Sequence, residues 1–236
     1  MSQTRTRRVC PPRYATQLFC VTAGAYIAGL FGRLSYAAVM ADLIAAEGLN
    51  KSDAGLIGTV FFVIYGVFQL FSGFLGDKIP PKKLIFTGVI GSAVLNLGMG
   101  LSGASYPVML VLWALNGVFQ SFLWSPAARV FSEMIPPTHR KRACANGAAT
   151  YPIATILTYL FASILLKFTG WRMDFLLSAL IMLIAAAVFW RAMTFFEQQT
   201  AQNGEIEQIT LTAAENETQG SLLRILIVSG TLLTVL

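Results

Sequence analysis

Six apolar stretches, each long enough to cross a hydrocarbon layer as a helix, constrain this chain more than any other feature. They run from Tyr14 to Met40, Ala54 to Leu75, Leu84 to Leu101, Val108 to Ser132, Ala143 to Leu166 and Trp171 to Phe196. About 20 apolar residues rise about 30 Å as an α-helix, the thickness of a bilayer core, and only helices or closed barrels satisfy the backbone in lipid. A further apolar run begins near Leu222 and stops at Leu236, before it is long enough to cross. The expected fold is all-α: a polytopic six-helix bundle over residues 14–196, followed by a truncated seventh helix over residues 221–236. Composition agrees, since 56% hydrophobic and 12% charged residues leave too little polar surface to coat a soluble domain.

The net charge of +6 is a matter of topology. Arg5, Arg7, Arg8 and Arg13 precede the first span, Lys78, Lys82 and Lys83 follow the second, and Arg140, Lys141 and Arg142 precede the fifth. The alternate loops carry Asp42, Glu47 and Asp53, or no charge at all between Ser102 and Pro107. That is the positive-inside pattern, and it implies a multi-pass protein of the plasma or inner membrane with its N-terminal tail, residues 1–13, in the cytoplasm. The basic excess therefore speaks for a lipid bilayer as partner and against nucleic acid. The first apolar run exceeds the h-region of a signal peptide and others follow it, so it is read as a retained helix. Cys10, Cys20 and Cys144 show no disulfide or metal-ligand spacing.

Arg33 is the exception within the apolar spans. A guanidinium cannot lose its proton and costs roughly 3 kcal/mol at the centre of a hydrocarbon layer on insertion scales, so an intramembrane Arg usually faces a cavity and meets an anion. It lies about 10 Å from the outer boundary set by Met40, at 1.5 Å per residue. Snorkelling to the headgroups is the alternative. Residues four apart share a helix face, which aligns Tyr65, Gln69 and Gly73, then Asn116, Gln120 and Trp124, then Tyr151, Thr155 and Tyr159. Such stripes either line a cavity or, for Asn116 and Gln120, bond helix to helix, while the tyrosines also suit interfacial belts. Gly24, Ala28 and Gly32, and separately Gly88, Ser92, Asn96 and Gly100, recur as helix-packing stripes.

The second span ends in Gly73-Phe-Leu-Gly76-Asp77-Lys78-Ile-Pro80-Pro81-Lys82-Lys83. A Gly, three residues, an Asp, a basic residue and then a basic turn resembles the signature that follows the second helix in the major facilitator superfamily. The proline run, the stretch from Gly55 to Tyr65, and Gly117 to Gln120 with Trp124-Ser125-Pro126 and Arg129 are similar to the branch that exchanges organic phosphates for inorganic phosphate. The resemblance implies that this chain is the N-terminal half of a twelve-helix fold, working by alternating access with a missing C-terminal half. It implies a small anionic substrate, an organic phosphate such as a sugar phosphate or glycerol phosphate, bound by Arg33, Tyr65, Gln69, Gln120 and Tyr151. Gly73, Asp77, Lys78, Lys82, Lys83 and Arg129 would form a conformational latch. Where the glycerol-phosphate exchangers carry a Lys at Gln69 and a His near Tyr151, this chain has neither, which makes its pocket less cationic. A carboxylate symporter of the same superfamily and a transporter-like sugar-phosphate sensor are the alternatives.

Residues 197–220, rich in Gln, Thr and Glu, have the composition of a flexible cytoplasmic linker between halves. His139 is expected in a solvated loop, and Asn216-Glu217-Thr218 fits a glycosylation acceptor on the wrong side of the membrane. No nucleophile and base pairing, metal cluster or phosphate-cradling Gly loop is legible, so neither an enzyme, a cofactor nor a metal is expected. No mid-span Asp or Glu identifies a proton-coupling group.

Overall fold

The computed structural model describes residues 3–103 and 105–211. The apolar runs become six helices: α1 Ala15–Glu47, α2 Lys51–Lys78, α3 Pro81–Leu101, α4 Tyr106–Arg129, α5 Pro137–Phe168 and α6 Trp171–Asn203. Six helices among the described residues are long and apolar enough to cross a membrane. Pro81 and Pro137 each open a helix, where the fixed φ and missing N–H do no harm. Gly48 and Gly170 make the tight turns at the opposite end with φ of 66° and 83°, which residues with a Cβ rarely adopt. The helices outrun the apolar spans. α1 continues to Glu47, and α6 runs past Phe196 to Asn203 because its last turns lie outside the apolar layer and need only helix-compatible polar residues.

The helices pack in the spatial order α2, α4, α3, α6, α1, α5, with α1 also crossing α3 and α4. The close approaches are made where side chains vanish. A Cβ on Gly117 would stand 2.8 Å from the Phe61 carbonyl of α2, and one on Gly88 would stand 2.8 Å from the Phe119 carbonyl of α4. Gly24 departs from the expected packing stripe, since a Cβ there would meet nothing within 4 Å. One apolar core, with Leu30, Val89, Leu123, Phe131 and Met182, fills the basic end. A second, with Val39, Ile57, Phe61, Trp113 and Phe175, fills the other. Between them Ser92, Asn96, Asn116 and Gln120 are buried as a polar belt. α2 and α5 close the row at its two ends and leave large apolar side chains outward, among them Phe62, Phe71, Ile156 and Leu160.

The tail and the start of the linker differ from the composition reading. Gln3–Val9 forms strand β1 and Glu205–Leu211 forms strand β2, paired antiparallel with Arg7 opposite Glu207 and Arg8 opposite Ile206. Both segments alternate and contain β-branched residues, and the facing charges are of opposite sign. His139 lies in the first turn of α5 instead of in a loop, its ring bonded to Thr138 Oγ1 at 2.9 Å. The run from Leu222 and the Asn216 acceptor lie outside the described residues.

Candidate anion-binding site

Arg33 is set just past the middle of α1, on the side where α2 and α5 flank that helix. Its guanidinium carbon stands 4.2 Å from the Tyr65 ring centroid, 5.5 Å from Phe62, 5.8 Å from Phe61 and 5.9 Å from Tyr151. Ring faces carry partial negative charge, so they hold a cation without neutralising it. Among the described residues no carboxylate pairs with Arg33, and its Nε is buried with no hydrogen-bond partner. A guanidinium has five N–H donors in a fixed fork that matches carboxylate and phosphate oxygens. Held by rings and unpaired among the described residues, that fork has the geometry to accept an oxyanion.

The neighbours follow from helix spacing. Gln69 lies one turn beyond Tyr65, half-buried, and its Oε1 has no partner. Tyr151 comes from α5 and is 43% exposed on the same open side. Tyr159 of the same stripe is exposed, and Thr155 bonds back to the Tyr151 carbonyl at 2.9 Å. Tyr26, which the sequence reading did not single out, sits seven residues before Arg33 and so on the same face. It is buried, with its ring 5.3 Å from Trp124 of α4.

Gln120 occupies a different setting. It is 2% exposed, and its Nε2 donates to the Gly29 carbonyl at 2.8 Å and to Ser92 Oγ at 2.7 Å. Asn116 Nδ2 donates to the Gly32 carbonyl at 3.0 Å, and Asn96 Nδ2 reaches the same carbonyl at 3.1 Å. These side chains bond α3 and α4 to the backbone of α1, the helix-bonding alternative for Asn116 and Gln120. They sit behind Arg33 and fix the helix that carries it.

The residues of the expected latch divide. Arg129 donates through Nε to Glu133 at 2.8 Å and through its terminal nitrogen to the Gly76 carbonyl, tying α4 to the end of α2. Lys82 is buried within the bundle, with Nζ 2.8 Å from Thr194 Oγ1, 2.9 Å from Glu197 and 4.4 Å from the Trp190 ring centroid. Gly73, Lys78 and Lys83 are exposed, and Asp77 lies in the last turn of α2. Asp174, in the first turn of α6 and not singled out by the sequence, is fully buried with no hydrogen-bond partner on either oxygen among the described residues. Nearby Ser35 and Ser178 bond each other at 3.0 Å.

Comparison with known proteins agrees with this architecture. A probable hexose phosphate transport protein of Chlamydia trachomatis is 29% identical over 147 residues, 62% of this chain and 32% of the relative. The membrane sensor protein UhpC of Salmonella typhimurium is 28% identical over 68% of this chain and 36% of its own length. The chain thus spans about a third of the length of the curated relatives it matches. In structure it is similar to the peptide transporter POT crystallised with alafosfalin, with a TM-score of 0.67 at 16% identity, covering 95% of this chain and 46% of that one. The description Major Facilitator Superfamily matches residues 19–235. Six apolar helices and that match together make this a multi-pass membrane protein, and the chain belongs to the Major Facilitator Superfamily.

Proposed function

We propose that this chain is the first half of a secondary transporter for a small anionic organic solute, an organic phosphate exchanged for inorganic phosphate by alternating access. The observation that carries the reading is the guanidinium of Arg33, with no carboxylate partner among the described residues, within its ring of Phe61, Phe62, Tyr65 and Tyr151. Relatives that include a probable hexose phosphate transport protein and a glycerol-3-phosphate transporter of Bacillus subtilis support the substrate class. Arg33 binds the phosphate oxygens, while Tyr65, Gln69 and Tyr151 supply hydrogen bonds and a ring surface for the organic part. The exposed apolar faces of α2 and α5 receive the second half, and the exposed Lys78 and Lys83 latch against it. The basic end faces the cytoplasm of a plasma or inner membrane, in keeping with the positive-inside rule.

Counterflow of a labelled sugar phosphate against phosphate, with the whole protein in vesicles, tests this. Arg33→Lys keeps the charge but loses the planar fork, and apparent affinity is expected to fall about a hundredfold. Unchanged affinity in that variant rejects Arg33 as the receptor. Relatives include a membrane sensor, so a second reading has its own support. Saturable binding of the sugar phosphate with no flux in the wild type selects the sensor.

A further inference from the structure

On the side of α1 turned away from Arg33, the structure leaves an apolar groove between α1 and α6 with a volume of about 530 Å³. Gly24 of its floor and Arg33 are nine positions apart, about two and a half turns, so the groove and the anion site face opposite directions. Its walls include Cys20, Ala28 and Phe31 of α1 with Ile184 and Val188 of α6, and Ile184 is 58% exposed. From Cys20 to Phe31 the lining rises about 16 Å along α1, half the thickness of a hydrocarbon core. The groove is therefore about one leaflet deep and runs along the half of α1 nearest the basic end.

That end of the groove carries two guanidinium groups. Ile184, Val188 and Arg191 lie on one exposed stripe of α6, so Arg191 follows the groove by one turn. Arg13 lies 4.7 Å above the Tyr14 ring, and Tyr14 packs edge-on against Phe195, one turn past Arg191, at 5.4 Å. Neither guanidinium has a carboxylate partner among the described residues, and Glu197 on the same helix is taken by Lys82.

We propose that this groove is a binding site for an anionic phospholipid of the leaflet at the basic end, with an acyl chain along Gly24 and Ala28 and the phosphate at Arg13 and Arg191. Charge selects the occupant: an apolar groove alone accepts any acyl chain, whereas two unpaired cations at its mouth favour a lipid of net negative charge. The site involves no residue of the Arg33 pocket, and it stands whether the protein transports or senses.

The test is native mass spectrometry of the whole protein purified in mild detergent and equilibrated with equal phosphatidylglycerol and phosphatidylcholine. One retained phosphatidylglycerol per chain is expected, and Arg13→Gln with Arg191→Gln should lower its retention on the order of thirtyfold. Gly24→Leu, placed where a Cβ meets nothing within 4 Å, should abolish retention of both lipids without changing helix content. Equal retention of the two lipids by the wild type, or retention indifferent to Gly24→Leu, overturns the proposal. So does efficient crosslinking between Cys20 of two copies in a Cys144→Ser background, which would seat a second copy there. Cys20 shielded from a maleimide in delipidated protein would put part of the chain itself in the groove, and that also overturns it.

Discussion

Arginine is used in two opposite ways at two levels of this molecule. At the basic end, Arg7 and Arg140 converge on Glu207, with Nε of Arg7 and both terminal nitrogens of Arg140 at 2.8 Å from its carboxylate. Arg140 also donates to the Ile135 carbonyl and Arg7 to the Ser132 carbonyl, so these forks are spent on holding β1, β2 and the start of α5 together. Arg33 has aromatic faces around it and no carboxylate partner among the described residues. Where solvent is close a protein can leave a guanidinium unpaired at little expense, as it does among the described residues at Arg13 and Arg191, yet Arg7 and Arg140 near solvent are paired while Arg33 in the apolar layer is not. Compensation marks the structural arginines, and its absence in the apolar layer, where it is most expensive, is what singles Arg33 out for the proposed anion site.

The largest effect expected from this contrast is on binding. Arg33→Lys should weaken an organic phosphate about a hundredfold, while the equivalent change at Arg140 should leave affinity within about twofold, as befits a residue outside the pocket. Titration of the whole protein with a labelled sugar phosphate measures both. Equal losses at the two positions would erase the distinction between receptor and clamp.

Next in size is the belt behind Arg33. Gln120→Ala removes two buried hydrogen bonds and leaves the Gly29 carbonyl and Ser92 without that donor, at about 1–2 kcal/mol. The thermal midpoint should fall by about 3–6 °C, with affinity for the anion changing much less than in Arg33→Lys. If affinity falls as far as in Arg33→Lys and the midpoint holds, Gln120 belongs to the binding site after all.

The clamp makes a smaller and pH-dependent prediction. Arg140, ahead of Arg7, holds the Glu207 carboxyl down to about 2 from an ordinary 4.5. A depressed carboxyl stabilises the fold above its unfolded value, and that contribution is lost as pH falls through the folded value. Glu207→Gln should therefore lower the midpoint by about 2 °C near pH 7, and the gap from the wild type should close between about pH 4.5 and 2. A gap independent of pH would assign the effect to packing of the strand pair instead of to charge.

How much of this was legible in the sequence depends on the range over which each feature is encoded. Arg33 stands out because one charge in an apolar run is a local anomaly, and Tyr65 and Gln69 follow from the four-residue spacing of a single helix. Tyr26 obeys the same spacing but a tyrosine in a span also suits an interfacial belt, so nothing local separated it. Gln120 and Asn116 were legible as inward-facing, but whether they met a cavity or a backbone depended on how closely α1, α3 and α4 approach, which glycines such as Gly32 and Gly88 decide. The strand pair was out of reach because Arg7 and Glu207 are 200 positions apart and each segment alone reads as a polar tail. Lys82 reads as a loop cation, yet three residues of α6 claim it.

The smallest effect expected, and the one of opposite sign, belongs to Asp174. It is the carboxyl counterpart of Arg33, a charged type of side chain within the helical bundle without a hydrogen-bond partner among the described residues, but it is 0% exposed. Ser35 donates to the Phe31 carbonyl at 2.8 Å and is bonded to Ser178, so both hydroxyls are engaged with each other or with backbone. A buried carboxyl in such surroundings strains the fold instead of supporting it. Asp174→Asn keeps the shape and removes the acid, so the thermal midpoint should rise by about 1 °C. A fall of that size would mean that Asp174 has a partner in the bilayer, and the contrast between a pocket that waits for a ligand and a core that is merely under-satisfied would have to be drawn elsewhere.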